Sequence, residues 1–447
     1  MKPLKLRKGP EGTLTLKDLF FISLGQVVGT GVVTLVGVAM NQTGPSAWLA
    51  YPVAVFVGMI LVYPYLMLGS TIRLGGGAYS AVSATMGPLA SGVYCLSKLP
   101  SVVSMAAFPI AIGFYLSDVF PGTSGTVFAM VFLTVFYIVN MLGLKPFTKI
   151  QNIMGYVLLV GMFLLVVLGL FKIDPANLSV RQEGFFSHGA IGFFTAVFLM
   201  VGSTKGYYNS VCFGKNAKNA RKDVPVSMVI SALVILLMYT GVAVVDVGVL
   251  PLSEVAGKPL TVVAREVLPG ALYYIFIFGG VIMALTTSVN ASFGIFTREI
   301  STGIEDGWLP VSLAKKNRFG APAYIVTFIF VAGAIPILTG FDVKKIMNVM
   351  LLFTGVVNTI LFIGIFRLPT LYPEEWARKT VKSPTWLFYV IMVVATLIQF
   401  GTIAFSCRSL DALTIALSIG SMAVCAAYAF FRAKSGGYVI KESVWND

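Results

Sequence analysis

Apolar runs of bilayer length follow one another along almost the whole chain, separated by short polar stretches. About 20 apolar residues cross the hydrocarbon core of a membrane. Only a helix satisfies every main-chain polar group of a single segment there, so each run predicts a membrane-spanning α-helix. Twelve runs are predicted: 17–40, 45–69, 88–117, 124–143, 150–172, 190–212, 226–249, 271–297, 322–340, 344–368, 385–406 and 410–432.

The composition supports this interpretation of the apolar runs. Of the 447 residues, 57% are hydrophobic and 11% are charged, and the mean hydropathy is +0.88. A soluble domain carries about a quarter charged residues. We therefore expect an all-α polytopic membrane protein, with the lipid bilayer as its surroundings and with no predicted oligomeric state.

The basic residues favour one orientation in the membrane. With the N-terminus inside, 23 of the 32 Lys and Arg residues face the cytoplasm, 7 face outside, and Lys98 and Lys205 lie within spans. Cytoplasmic loops are enriched in Lys and Arg. Both termini are therefore predicted to be cytoplasmic, in a multi-pass protein of the plasma (inner) membrane. Despite the net charge of +14, no nucleic-acid partner is expected, because no basic stripe is interleaved with aromatic residues.

The sequence offers little for metal, nucleotide or enzyme chemistry. One histidine, His188, and four cysteines without a CxxC pair predict no metal centre. No Gly-x-x-x-x-Gly-Lys-Ser/Thr loop is present, so no nucleotide or other cofactor is expected. A membrane-embedded enzyme would need a nucleophile–base pair or paired carboxylates, and the predicted spans contain almost no acidic residue.

Glycine clusters lie near the middle of the first and the sixth predicted spans. The first span contains "GQVVGTGVV" and the sixth contains "VGSTKG". The two spans are five apart, so each opens one half of a ten-helix array. Small residues also let helices pack closely, which is the alternative interpretation of each cluster taken alone. The matching positions in two halves favour helices that are interrupted in mid-membrane, as in inverted-repeat transporters.

Interrupted helices leave main-chain groups free to bind a ligand. The N-terminus of a half-helix offers N–H groups and a positive dipole end to an anion. The C-terminus of a half-helix offers carbonyl oxygens to a cation. A zwitterion such as an amino acid matches both ends.

Several motifs resemble those of the amino acid–polyamine–organocation family of permeases. "VVGTGVV" is similar to its Gly-Ser/Thr-Gly-Ile/Val motif in the first helix, and "STIRLGGGAYSAVSATMGPLASG" is similar to the loop after its second helix. The most specific match is "NASFGIFTREISTGIEDGWLPVSLAKKNRFGAP", which resembles its signature after the eighth helix. The key places of that signature are filled by Asn290, Arg298, Asp306, Gly307, Pro310, Gly320 and Pro322.

The resemblance implies a LeuT-like fold with twelve transmembrane helices. Helices 1–5 (17–173) and 6–10 (188–368) would form a 5+5 inverted repeat in which helices 1 and 6 are unwound. Helices 11 and 12 (385–432) would follow, between a cytoplasmic N-terminus (1–16) and a cytoplasmic C-terminus (433–447).

The resemblance also implies where a substrate would bind. Its carboxylate would meet main-chain N–H groups in the first helix, and its amino group would meet carbonyl oxygens in the sixth. Pocket walls are expected from helices 3, 8 and 10. The candidate binding residues are Val28, Gly29, Thr30, Gly31, Val32, Met105, Gly202, Ser203, Thr204, Lys205, Gly206 and Asn290.

Lys205 is an ionisable residue close to the second glycine cluster, and such a residue costs about 2.5–3.5 kcal/mol at mid-membrane on insertion scales. Three interpretations remain open. It contacts an anionic group of the substrate, it titrates as the coupling group, or it reaches a wet vestibule without a specific role.

Lys98 is the second embedded cation, on the inner half of the third span. One interpretation is a side chain that extends to the interface. The other is a coupling group, because Leu158 fills the place where some proton-coupled members of the family carry a lysine. The predicted function is a secondary transporter of amino acids or related amines, coupled to H⁺ or Na⁺ or working by exchange. The alternatives are a receptor or scaffold without transport and a membrane-embedded enzyme.

Overall fold

The structure, a computed structural model, is almost entirely helical. It describes residues 7–8, 11–182, 184–340, 343–408, 410–436 and 444–446, with side chains described outside residues 7, 8, 30, 343–354, 406, 408, 413 and 444–446. The predicted all-α class is therefore confirmed. The α-helices are α1 Leu16–Val27, α2 Thr30–Thr43, α3 Ala47–Thr71, α4 Gly77–Met86, α5 Pro88–Ser101, α6 Ala107–Val119, α7 Gly125–Met141, α8 Leu144–Leu170, α9 Gly189–Val201, α10 Ala220–Gly248, α11 Leu252–Val255, α12 Thr261–Val267, α13 Ala271–Phe276, α14 Met283–Glu305, α15 Ala323–Thr339, α16 Val343–Phe366, α17 Leu368–Leu371, α18 Pro373–Ala377, α19 Thr385–Arg408 and α20 Ala412–Lys434.

Tighter or wider helical turns join several of these helices. A π-helix connects α13 to α14, and the remaining segments are 3₁₀-helices. The segments are Gly44–Ser46, Val102–Ala106, Pro175–Leu178, Gly206–Asn216, Ile277–Ile282 and Val311–Ala314.

Three short strands bring the two ends of the chain together. They are β1 Arg7–Lys8, β2 Arg73–Leu74 and β3 Val444–Asn446. The sheet order is β1-β3-β2, with β3 parallel to β1 and antiparallel to β2. The C-terminal strand β3 therefore lies between the N-terminal strand β1 and β2, which follows α3.

Within the described residues, eight helical stretches are long and apolar enough to cross a membrane. They are Leu16–Thr71, Pro88–Val119, Leu144–Leu170, Gly189–Asn216, Ala220–Gly248, Ala271–Glu305, Thr385–Phe405 and Thr414–Lys434. Three shorter apolar helices are Gly125–Met141, Ala323–Thr339 and Gly355–Phe366. The chain is therefore a multi-pass membrane protein.

Several helices extend beyond the apolar runs that predicted them. The helix predicted at 150–172 begins at Leu144, and the one predicted at 271–297 continues to Glu305. The added turns contain lysine, arginine, glutamate and threonine, which an apolar count excludes. A helix ends where its backbone changes course, as at Gly143 with φ of 90° before α8, and not where its sequence becomes polar.

α8 and the π-helix Ile277–Ile282 pack at very short range because glycines face each other. A β-carbon placed on Gly161 would lie 2.7 Å from the carbonyl carbon of Gly279 and 2.9 Å from the Cα of Gly280. Backbone atoms cannot yield as a flexible side chain can.

We predict that Gly161→Val destabilises the protein by about 1–3 kcal/mol, the usual range for overpacking a well-packed interior. The measurement is thermal unfolding of the purified protein in detergent. Gly420→Val is the matched control, because Gly420 is exposed on α20 and a β-carbon there meets nothing within 4 Å. Equal melting temperatures for the two variants would contradict the packing argument.

Candidate functional site

The first helical interruption separates α1 from α2. α1 ends at Val27, Val28 is extended with φ −78° and ψ 103°, and α2 begins at Thr30 after Gly29. Gly29 is the N-cap residue and supplies no side-chain capping bond. The first-turn N–H groups of α2 therefore point out of the helix end without a capping side chain, which is the arrangement that binds anions.

Side-chain hydroxyls from neighbouring helices cap the carbonyl end of α1. The Ser288 hydroxyl on α14 lies 2.8 Å from the Gly25 carbonyl oxygen and 3.2 Å from that of Val28. The Tyr239 hydroxyl on α10 lies 3.0 Å from the Val27 carbonyl oxygen. These bonds satisfy carbonyl groups that the interruption frees from the helix ladder.

The second interruption follows α9 and spans residues 202–205. Here the chain leaves α9 at Val201 and resumes as the 3₁₀-helix Gly206–Asn216. The Thr204 hydroxyl donates to the carbonyl oxygens of Val201 (3.0 Å) and Ala54 (3.1 Å). Thr204 is fully buried and Gly202 is exposed, so the interruption has one face in the protein and one face open.

The two interruptions contact each other directly. A β-carbon on Gly31 would overlap the Ser203 side chain, and one on Gly206 would overlap the Gln26 carbonyl oxygen. The Tyr239 hydroxyl, bound to Val27, also lies 3.3 Å from the Ser203 carbonyl oxygen. The two glycine clusters therefore bring two free backbone segments together, and one phenol links both.

Lys205 lies at the start of Gly206–Asn216 and is half-buried. The ion pairs within the described part of the chain join Lys98 to Glu299 and Lys215 to Glu305. Lys205 therefore has no carboxylate partner among the described residues. Lys205 is thus a half-buried cation in the same interruption as exposed Gly202.

Lys98 has a partner that sequence reasoning missed. Its Nζ lies 2.9 Å from Oε2 of Glu299, with 18% and 2% of the two side chains exposed. Glu299 lies on α14 beyond the predicted span 271–297, which made it look cytoplasmic. The count of acids within the predicted spans therefore did not include this buried carboxylate. In the sequence Glu299 stands next to Arg298, and nothing there indicates an ion pair with Lys98, which lies 201 residues earlier.

Asn290 and Met105 are both buried, and the contacts of their side chains are with other helices. The Asn290 side chain is fully buried, donates to Gln151 Oε1 at 2.8 Å and accepts from Asn140 at 3.0 Å. Met105 is 1% exposed and lies near Gly333 of α15. Their assignment to substrate binding stays a prediction.

The remaining predicted residues divide between the two segments. Val28, Gly29, Gly31 and Val32 are buried, whereas Ser203 and Gly206 are half-buried. The Thr30 side chain lies outside the described residues. The valines therefore position the backbone, and the main chain supplies the polar groups.

The candidate residues chosen from the sequence also did not include the hydroxyl and aromatic residues around the interruptions. Ser288 and Phe108 both face Gly29, at 3.1 Å and 3.4 Å from a β-carbon placed there. Tyr51 lies 3.4 Å from the Ser203 hydroxyl, and its ring centroid is 4.9 Å from that of Tyr239. A tyrosine within an apolar run, Tyr51 in span 2 and Tyr239 in span 7, is the signal that was present in the sequence.

A separate cavity of about 170 Å³ lies among α7, α8 and α14. Arg298 on its wall donates to the Gly294 carbonyl oxygen at 2.8 Å and lies 3.9 Å from the ring centroid of Phe213. The arginine of the signature motif therefore joins α14 to the segment Gly206–Asn216.

Known proteins provide an independent comparison. The family model described as "Amino acid permease" matches residues 14–431. The chain is 25% identical to a branched-chain amino acid permease of Bacillus subtilis, over 70% of this chain and 71% of that protein. It is 22% identical to the methylthioribose transporter of the same organism, over 87% and 92%. It is 21% identical to that organism's aspartate-proton symporter, over 52% and 44%.

The match covers far more than half of the chain and includes both interruptions. It confirms the resemblance found in the glycine and signature motifs, and it places the protein among transporters and not among enzymes. The chain belongs to the amino acid permease family, within the amino acid–polyamine–organocation superfamily.

Proposed function

We propose that the protein is a secondary active transporter that moves amino acids across the plasma (inner) membrane by alternating access. The observation that carries this proposal is the pair of touching interruptions, with uncapped N–H groups on one and a partly open face on the other. This arrangement suits a small zwitterion. The substrates named for two of its relatives, branched-chain amino acids and aspartate, belong to the same class.

The proposed architecture has twelve spans, with both termini in the cytoplasm. The interruptions occupy the first helix of residues 17–173 and the first helix of residues 188–368, as a 5+5 inverted repeat requires. The long stretch Leu16–Thr71 has room for two spans, and α16 and the shorter apolar helices supply the rest. The sheet that joins β1 to β3 supports termini on one side, and the basic residues favour the cytoplasm.

In this proposal the substrate carboxylate binds the N–H groups of Thr30, Gly31 and Val32. Carbonyl oxygens around Gly202 and Ser203 receive the ammonium group. Lys205 supplies a cation for an anionic group on the substrate. The coupling ion is the proton, as the name of the aspartate-proton symporter suggests for that relative.

The direct test is uptake by purified protein in sealed proteoliposomes. Labelled leucine, aspartate and lysine are compared with methylthioribose, with and without a pH gradient. Saturable uptake of at least one amino acid supports the proposal. Binding of an amino acid without any flux would favour a receptor, and uptake of methylthioribose alone would move the substrate class away from amino acids.

We predict that Gly31→Val lowers amino acid uptake roughly 10- to 100-fold. The new side chain would enter the space of Ser203 and push the interruptions apart. A roughly 10- to 100-fold loss corresponds to about 1.4–2.8 kcal/mol, which lies within the cost of about 1–3 kcal/mol for overpacking. Uptake is measured in proteoliposomes with Gly420→Val as the control, and undiminished uptake by the Gly31 variant would argue against a substrate site at this contact.

A second prediction concerns the charge of Lys205. Lys205→Met should weaken aspartate binding about 10- to 100-fold relative to leucine, because a charged hydrogen bond contributes about 1.5–3 kcal/mol. Competition of each amino acid for labelled substrate measures the ratio. Lys382→Met, at an exposed lysine, is the control. An unchanged ratio would remove Lys205 from side-chain recognition.

A further inference from the structure

The ion pair between Lys98 and Glu299 is the only buried one among the described residues. It joins α5 to α14 at 2.9 Å, with 2% of the Glu299 side chain exposed. The other described pair, Lys215 with Glu305, is 3.9 Å long and has 42% and 35% exposure. A buried pair contributes little net stability, and the loss of one partner leaves an uncompensated charge. Stabilisation alone therefore does not explain why this ion pair is buried between α5 and α14.

Glu299 is held by polar groups from more than one element. Its Oε1 accepts from the Tyr94 hydroxyl at 3.1 Å and lies 3.8 Å from the Cys212 sulfur, whose thiol donates to it. The Lys98 ammonium lies 5.1 Å from the centroid of the Tyr94 ring. The carboxylate therefore contacts α5 through Lys98 and Tyr94, and the segment Gly206–Asn216 through Cys212.

Other titratable and polar groups lie around the pair, but among the described residues none of them forms an ion pair with Lys98 or Glu299. The Tyr65 hydroxyl donates to Asn358 at 2.8 Å, and the Tyr65 ring stacks on Tyr208 with centroids 4.3 Å apart. Arg298, next in sequence to Glu299, lies over Phe213 instead. The titratable groups near the pair are Tyr65 on α3, Tyr94 and Cys95 on α5, and Tyr208 and Cys212 on Gly206–Asn216. Arg298 is adjacent to Glu299 in sequence, Asn358 on α16 bonds to Tyr65, and Asp306 lies beside Cys95.

The segment that Cys212 belongs to is the one that follows the second interruption. Lys205 is its N-cap residue, and Gly206 contacts Gln26 at the first interruption. The Glu299 carboxylate therefore touches an element whose other end forms part of the proposed substrate site.

We propose that Glu299 binds the coupling proton of the transport cycle and that Lys98 is its counter-ion. The inference rests on the proposed transport function. A hydronium ion that reaches the partly exposed Lys98 side transfers its proton to the Glu299 carboxylate and leaves as water, so that an O–H bond forms and Glu299 becomes neutral. Lys98 keeps its ammonium charge, so the pair changes from net zero to +1, and no electron transfer is involved.

Protonation changes which conformation the pair favours. With a neutral Glu299, the Lys98 ammonium has lost its counter-ion in a buried place, which is costly. The carboxyl group also becomes a poorer acceptor for Tyr94 and Cys212. Both effects favour a conformation in which Lys98 reaches water and Gly206–Asn216 moves away from α14. Proton binding is in this way linked to the segment that carries Lys205.

The test separates proton coupling from a static link between α5 and α14. The double variant K98M/E299Q removes both charges and leaves no uncompensated one. Wild type and variant are reconstituted in proteoliposomes. Three quantities are measured: exchange of labelled amino acid at equal pH on both sides, accumulation driven by an acidic exterior, and internal acidification reported by a trapped pH dye.

We expect exchange by K98M/E299Q to stay within roughly twofold of wild type, since replacing a whole buried pair by neutral groups is often tolerated. Gradient-driven accumulation and substrate-dependent acidification should both be lost. Glu299→Asp keeps a titratable carboxylate and should restore both, with a shifted pH profile. Should the double variant fail to fold, Glu299→Gln and Glu299→Asp make the same comparison.

Two control variants sharpen the result. K215M/E305Q removes the exposed pair and should leave coupling intact. Asp246→Asn removes a carboxylate that is 2% exposed on α10, away from the pair in sequence. Retained accumulation in K98M/E299Q and in Glu299→Gln would overturn the proposal, as would loss of coupling in Asp246→Asn alone. Failure of wild-type exchange would refute the transport function itself, whereas exchange without any response to the pH gradient would refute only proton coupling.

Discussion

Every buried main-chain polar group in a membrane protein must find a partner inside the protein, because lipid offers none. Two helices of this chain are interrupted, at Val28–Gly29 and at residues 202–205, and each interruption frees such groups. Hydroxyls of Ser288, Tyr239 and Thr204 bind the carbonyl oxygens of Gly25, Val27 and Val201 at these helix ends. The site can exist because α14, α10 and a threonine of the second interruption itself complete these bonds.

The two helix ends at the first interruption are capped differently, and this difference has a chemical consequence. The carbonyl end of α1 is bound by hydroxyls, whereas α2 begins at Gly29 without a side-chain cap. The positive end of the α2 dipole therefore has no side-chain partner at the first interruption. In the second interruption, half-buried Lys205 adds a positively charged side chain. In the proposed function, an anionic group of the substrate is the partner of both positive groups.

The sequence predicted the position of both interruptions, because glycine clusters in mid-span at matching places of two halves are typical of interrupted helices. It also predicted the apolar helices, because a helix must be apolar over about 20 residues to cross the hydrocarbon core. It could not predict helix ends such as Leu144 and Glu305, which depend on backbone geometry and tertiary contacts. It also could not pair Lys98 with Glu299, since periodicity describes one helix at a time and the partner lies on another.

The embedded charges show how this chain differs from the proton-coupled relatives that its family resemblance suggests. Leu158 is fully buried on α8, in the place where some members carry a lysine. A cation on α5, Lys98, is instead held by a carboxylate on α14. A charge inside a membrane protein is tolerated only where something offsets its desolvation, so it marks a place where function outweighs stability. The structure supplies that offset for Lys98 through Glu299, whereas Lys205 has no carboxylate partner among the described residues, and in the proposed function an anionic group of the substrate takes that place.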